Sequence, residues 1–140
     1  MTLLLHAFAS LMMLGVIWTV QVVHYPLFRA VGRDHWVRYH QRHVQSMGLI
    51  VGPLMSLELL TAGLLVFARP PVLPMWAVVA NLVLVLSTWL STGFREMPRH
   101  QKLALRYDGP GIKQLVRGNW FRTLAWSLHG VLVLYLLWLS

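Results

Sequence analysis

Apolar positions in this chain gather into four long runs, residues 3–23, 47–67, 75–93 and 121–139. A helix rises 1.5 Å per residue and needs roughly 20 apolar residues to cross a bilayer. Each run is therefore long enough to span. The pattern predicts an all-α integral membrane four-helix bundle with spans at 3–24, 47–67, 75–93 and 120–139. Nothing is left over for a separate soluble domain, so residues 1–140 are read as a single transmembrane domain.

The breaks between runs carry their own signals. Span one ends in His24-Tyr25-Pro26, and proline disfavours helix at the residue before it, so a break or kink is expected near Tyr25. Asp34 is expected to cap a new helix, its carboxylate accepting orphan N–H groups. No Pro or Gly intervenes between Asp34 and Gly48. The amphipathic piece with His35, Tyr39, His40 and His43 should then run on into span two. Gly48 and Gly52 form a G-x-x-x-G pattern that permits close approach of another helix, including one from a second copy of the chain. Pro53 removes one helical hydrogen bond and frees the Leu49 carbonyl. Residues 68–74 form a short, proline-rich outer loop, with Trp76, Tyr135 and Trp138 suited to the interfacial belt. In span three, the pairs Ser87/Ser91 and Thr88/Thr92 are expected to face neighbouring helices. The connection over 94–120 is too long to be structureless. It predicts helical extensions on the cytoplasmic side, broken at Asp108-Gly109-Pro110-Gly111.

Composition supports the membrane reading: 57% of residues are hydrophobic and 11% charged, against about 45–50% and about 25% in soluble domains. A net charge of +8 would suit nucleic acid, but eleven of the twelve Lys and Arg lie in the first and third connections or at their edges. Only Arg69 lies between spans two and three. Cytoplasmic loops are enriched in Lys and Arg, so both termini are expected outside the cytoplasm of a cell inner membrane. The charge is thus a topology signal and an attraction to anionic lipid heads, with no basic module for nucleic acid. The absence of cysteine excludes disulfides and thiolate-held zinc or iron–sulfur centres.

Against this apolar background a few polar residues stand out. Glu58 lies eleven residues beyond Met47, roughly 16 Å inside the span, and a carboxylate at bilayer depth is costly unless paired, solvated or functional. His129 reaches a similar depth on span four, and Asn81 enters from the other side. At 100° per residue, Asn119, Arg122, Trp126 and His129 form one stripe. His40 and Glu58 are five full turns apart and share a face. Gln21 and His24 are i,i+3 neighbours. Turning these stripes inward gathers His24, His40, His43, His100 and Arg122 in the cytoplasmic half, with Glu58 and His129 deeper. Imidazole and carboxylate suit iron, copper, zinc or manganese. His24, His40, His43, His100 and Glu58 are the candidate metal ligands; His24 and His129 are the candidates for holding a cofactor such as haem. Glu58 and Arg122 are the catalytic candidates, Glu58 as ligand or proton acceptor and Arg122 as an anchor for an anion or polar head. His6 and His35 are assigned to the water interfaces. Met12, Met13, Met47 and Met55 are read as packing.

The segments Val22-Val23-His24-Tyr25-Pro26-Leu27-Phe28, Tyr39-His40-x-x-His43, Pro53 to Glu58, Pro98-Arg99-His100 and Asn119-Trp120-x-Arg122-Thr123 resemble a group of small bacterial four-span membrane proteins. The likeness covers nearly the whole chain and implies the four-span architecture without an activity. In span count and scattered polar residues the chain is also similar, more distantly, to the anthrone-oxygenase-like and the four-helix protoporphyrinogen-oxidase membrane proteins. That likeness implies redox chemistry by analogy of fold. The leading expectation is a metal- or haem-dependent membrane oxidoreductase acting on a lipophilic small molecule. The alternatives are a proton- or small-solute-translocating protein, with Glu58 and His129 as a relay, and an accessory subunit of a membrane complex.

The orientation is testable on its own. A reporter fused after Ser140 should be active outside the cytoplasm. Activity inside would reverse the orientation read from the basic connections.

Overall fold

In the computed structural model, which describes residues 1–140, the chain is helical nearly throughout and contains no strand. Four helices, α1 (Thr2–Ala30), α2 (Arg33–Phe67), α3 (Met75–Leu103) and α4 (Gly109–Leu139), are each long and apolar enough to cross a membrane. They run up-down-up-down. Each packs on its sequence neighbours, and α1 closes the ring against α4. The first and third connections, and so nearly all the Lys and Arg, lie at one end, termed here the basic end. Both termini lie at the opposite end. Only 39 residues are buried, while Leu4, Phe8, Leu49, Leu60, Phe94 and Val131 point outward. A surface this apolar needs lipid around it, and the chain is a multi-pass membrane protein.

The core has three layers. At the basic end Tyr25, Phe28, Trp36, Leu103, Ile112 and Leu115 pack together, and the Trp36 indole N–H donates to the Leu103 carbonyl at 2.7 Å. Met13, Ile17, Met55 and Trp126 fill the middle. Leu3, Leu65, Leu73, Ala77, Val78 and Leu136 close the opposite end.

Of the break or kink expected near Tyr25, the helix shows an irregularity without a break. Helix α1 widens into a π turn over Val20–His24 and continues through Pro26. The Tyr25 N–H reaches back five residues to the Val20 carbonyl. Helix α3 repeats the device: a π turn over Thr92–Glu96 precedes Met97-Pro98, and the Met97 N–H bonds to the Thr92 carbonyl. A proline ring collides with the carbonyl four residues back. The wider turn moves that carbonyl away, so the helix bends around the proline without ending. Asp34 does not cap α2. Gly32 holds the cap position, and Asp34 sits in the first turn, where its charge favours the positive helix end. Helix α2 runs unbroken from the amphipathic segment into the span, with Pro53 inside it.

On α3, Thr88 and Ser91 are buried against the neighbouring helices, as their spacing predicts. The hydroxyls of Ser87, Thr88 and Thr92 bond locally, donating to carbonyls three or four residues back at 2.7–2.8 Å. They are satisfied within their own helix rather than across to another.

Two kinds of glycine separate clearly. A Cβ on Gly130 would lie 2.8 Å from Leu14 Cδ2, whereas Gly48, Gly52 and Gly93 have nothing within 4 Å. Gly130 thus sets the close approach of α4 to α1. Gly130→Leu should overpack that contact and cost about 1–3 kcal/mol, read as a lower melting temperature in detergent. Gly48→Leu and Gly52→Leu should leave the melting temperature near wild type.

Candidate functional site

The polar residues of the interior form two separate groups. The outer group, nearer the termini, draws on all four helices. His6 comes from α1, Glu58 and Thr61 from α2, Asn81 from α3, and Trp126 and His129 from α4. All are buried, with 3% exposure or less. Their joints are short: His6 Nδ1 to Thr61 Oγ1 is 2.8 Å, and the Asn81 side-chain amide reaches His6 Nε2 at 3.1 Å and His129 Nε2 at 2.7 Å. The Trp126 indole N–H donates to both Glu58 oxygens at 3.2 Å. His129 Nδ1 lies 3.0 Å from Glu58 Oε1 but off the line of a hydrogen bond, so that contact is electrostatic.

Proton bookkeeping orients the central amide. With Oδ1 toward both imidazoles, the Asn81 NH2 group is buried without a partner. Turned end for end, the amide donates one N–H to each ring. His6 Nδ1–H can then donate to Thr61, whose hydroxyl donates to the Leu57 carbonyl at 2.6 Å. His129 presents its Nδ1–H to Glu58. Asn81 Oδ1 is then left over as an acceptor in place of the two amide N–H donors, an orphaned acceptor being the lesser cost, and the His129 Nδ1–H keeps only its electrostatic contact with Glu58. None of these residues lines the pocket between α1, α2 and α3.

The second group lies toward the basic end. His24 Nε2 and His43 Nδ1 are 2.7 Å apart. His40 Nε2 meets His100 Nδ1 at 3.1 Å, and His100 Nε2 meets the Tyr25 hydroxyl at 2.9 Å. Around them stand Glu96, held by Arg99 at 3.0 Å, and Arg122, which donates to Asn119 Oδ1 at 3.1 Å. Asn119 in turn donates to Gln21 at 2.8 Å. Arg99 lies over Gly118, where a Cβ would come 1.9 Å from its guanidinium. Glycine at that position leaves room for the ion pair.

This inner group borders a pocket of about 380 Å³ between α1, α2 and α3. Its walls are Val16, Ile17, Val51 and Met55; Gly48, Gly52 and Gly93 open its side. Tyr25, His43, Glu96, His100 and Arg122 form its polar end. Glu96 Oε2 and Arg122 Nε are buried there without a partner.

The structure thus unites His24, His40, His43 and His100, with adjacent ring centroids 4.6–6.0 Å apart. Each ring uses at least one nitrogen on another ring of the cluster, and His100 uses its second on Tyr25; no three His, Asp or Glu side chains form a set that could hold a metal ion. Glu58 is apart from them and bonds to His129 and Trp126. His35 is exposed at the basic end. His6, expected at the surface, is buried in the outer network; its alignment with Ser10, Met13 and Ile17 on one face of α1 was the available signal. Tyr25 and Glu96 were missed as site residues because each lies beside an X-Pro step whose π turn redirects the side chains. The same turn separates Gln21, which faces α4, from His24, which faces α2. Gly48 and Gly52 meet no helix of this chain and line the pocket instead.

No protein family matches the sequence, and no curated protein or solved structure is similar enough to count as a match.

Linkage between the two groups runs only through Trp126. Its ring lies under the Arg122 guanidinium at 5.1 Å while its N–H holds Glu58. Replacing Glu58 by Ala would orphan that buried N–H, at a cost of about 1–3 kcal/mol. Glu58→Gln keeps an acceptor for it. We expect Gln to preserve the melting temperature in detergent and Ala to lower it; equal stability of the two variants would contradict the clamp role.

Proposed function

We propose that this protein is an inner-membrane enzyme, with both termini outside the cytoplasm, that draws a lipophilic small molecule from the bilayer into the pocket between α1, α2 and α3. The observation that carries this reading is the pocket itself. It has an apolar shaft open at the side through three glycines, and its polar end holds buried hydrogen-bonding atoms without partners. Buried polar groups are ordinarily paired, and a ligand head would complete these two.

Oxidoreductase is the reaction class we assign. The pocket lining contains no Ser, Cys or Lys, and its one aliphatic hydroxyl, that of Thr92, donates to a backbone carbonyl. The lining thus lacks the Ser, Cys or Lys nucleophile of the commonest covalent mechanisms. What the lining does offer is imidazole, phenol, guanidinium and carboxylate, the groups that move protons and anchor a polar head. A metal bound by His24, His43 and His100 would require His100, both of whose nitrogens are engaged, to leave a present partner, so no step is routed through one. The relay reading finds little support, because the only bridge between the two polar groups is an indole N–H and a cation–π contact, neither of which passes a proton onward. Glu58 on this reading holds the bundle together, and Arg122 anchors the ligand head.

Filling the pocket tests the proposal. Gly52→Leu and Gly93→Leu place side chains in open space, so folding should be unchanged. Native mass spectrometry and organic extraction of wild-type protein should recover a bound lipophile that both variants lose. Equal occupancy in all three proteins would overturn the pocket as a binding site. An elemental analysis and optical spectrum of the same samples would decide whether the histidine cluster takes up a metal.

A further inference from the structure

The unpartnered atoms at the polar end define the head group that fits there, on the reading that the pocket binds a lipophile. The first is Glu96 Oε2, an acceptor on a side chain 1% exposed. The second is Arg122 Nε–H, a donor on a side chain 6% exposed. Tyr25 supplies the third through the chain His40–His100–Tyr25. His40 Nδ1 is buried without a partner. If that nitrogen carried a hydrogen, a buried N–H would be orphaned, the costlier case. The neutral His40 therefore carries its hydrogen on Nε2 and donates to His100 Nδ1. His100 must then be protonated on Nε2 and donate to the Tyr25 oxygen. The Tyr25 O–H hydrogen, released from His100, is left to point elsewhere, and Tyr25 lines the pocket.

The polar end thus offers two donors, from Tyr25 and Arg122, and one acceptor, from Glu96. A hydroxyl group has two acceptor lone pairs and one donor hydrogen. We infer that the ligand of this pocket is an uncharged amphiphile bearing a hydroxyl head, an alcohol or phenol on an apolar tail. A fatty acid anion or other anionic head is rejected by the Glu96 carboxylate, which Arg99 holds in place from the side. A cationic head meets Arg122. A hydroxyl matches all three atoms in donor and acceptor character without a like-charge contact.

Matched probes with one tail test this. Heavy-atom quenching acts at contact, and Trp89 lines the pocket but is also partly exposed to lipid. The share of the Trp89 quenching (the part lost in Trp89→Phe) that Gly52→Leu abolishes therefore reports occupancy. Titrations with ω-bromoundecanol and with ω-bromoundecanoate, at about pH 9 so that the acid is ionised, should show the alcohol binding at least about tenfold more tightly, the effect of roughly one hydrogen bond. Glu96→Gln keeps the packing and the Arg99 contact but removes the repelling charge. It should strengthen acid binding and, because the amide NH2 replaces the accepting Oε2, weaken alcohol binding, so that the preference for the alcohol is lost or reversed. Equal affinities in wild type, or an unchanged preference in Glu96→Gln, would overturn the head-group assignment while leaving the pocket reading intact. No Trp89 quenching that Gly52→Leu abolishes, with either probe, would overturn both.

Discussion

One side-chain amide, that of Asn81, joins the helices of the outer half. It stands on α3 and contacts an imidazole of α1 and an imidazole of α4. Each ring passes the connection on to α2, one at Thr61 and the other at Glu58. Hydrocarbon supplies no water to satisfy a polar group left over, so these partners must be found inside the bundle. That requirement sets the rotation of every helix about its axis, because turning any of the four would orphan a donor. Apolar packing cannot do this alone, since lipid tails compete equally with side chains for apolar contact.

With the outer half held, the inner half is free to open. Helices α1 and α3 both carry a proline near the basic end, and both absorb it in a π turn. Such turns shift the register by one residue and are frequent at functional sites. Here they bring His24 and Tyr25 from one helix, and Glu96 and His100 from the other, to the same level as His40 and His43. Glycines on α2 and α3 leave that level accessible from the side. The result is a division of labour along the bundle axis, with a cross-linking network near the termini and a second group bordering the pocket near the basic end. Trp126 lies at the boundary and contributes to both, by its N–H to Glu58 and by its ring to Arg122.

The four helices were legible from run length alone, because bilayer thickness is a hard constraint on sequence. The stripe Asn119–Arg122–Trp126–His129 was legible too, since α4 is a regular helix and its angular arithmetic holds; all four residues are buried. Arithmetic failed where the helix was not regular. Across the Val20–His24 turn, Gln21 and His24 no longer share a face, and Tyr25 turns inward. Tyr25-Pro26 suggested a break or kink without deciding between them, because the proline rule describes a clash and leaves open how the backbone relieves it. The glycine pair on α2 was ambiguous for a related reason. G-x-x-x-G says that a groove exists, and only the packing shows that no helix of this chain fills it. The histidines clustered as their positions suggested, but which nitrogen faces which cannot be read from spacing, and the ligand geometry for a metal depends on that.

The division of the interior into a closed outer network and an open inner pocket is tested most directly by cysteine accessibility. The chain has no cysteine of its own, so a single introduced thiol reports one position. Gly48→Cys and Thr92→Cys place it on the pocket lining, and Ser10→Cys places it beside His6 in the outer core. Labelling in bilayers with the membrane-permeant N-ethylmaleimide, followed by mass spectrometry, should modify the first two and spare the third until the protein is unfolded. Rapid modification at Ser10→Cys, matching that at the pocket positions, would show a continuous wet path through the bundle and contradict the closed network.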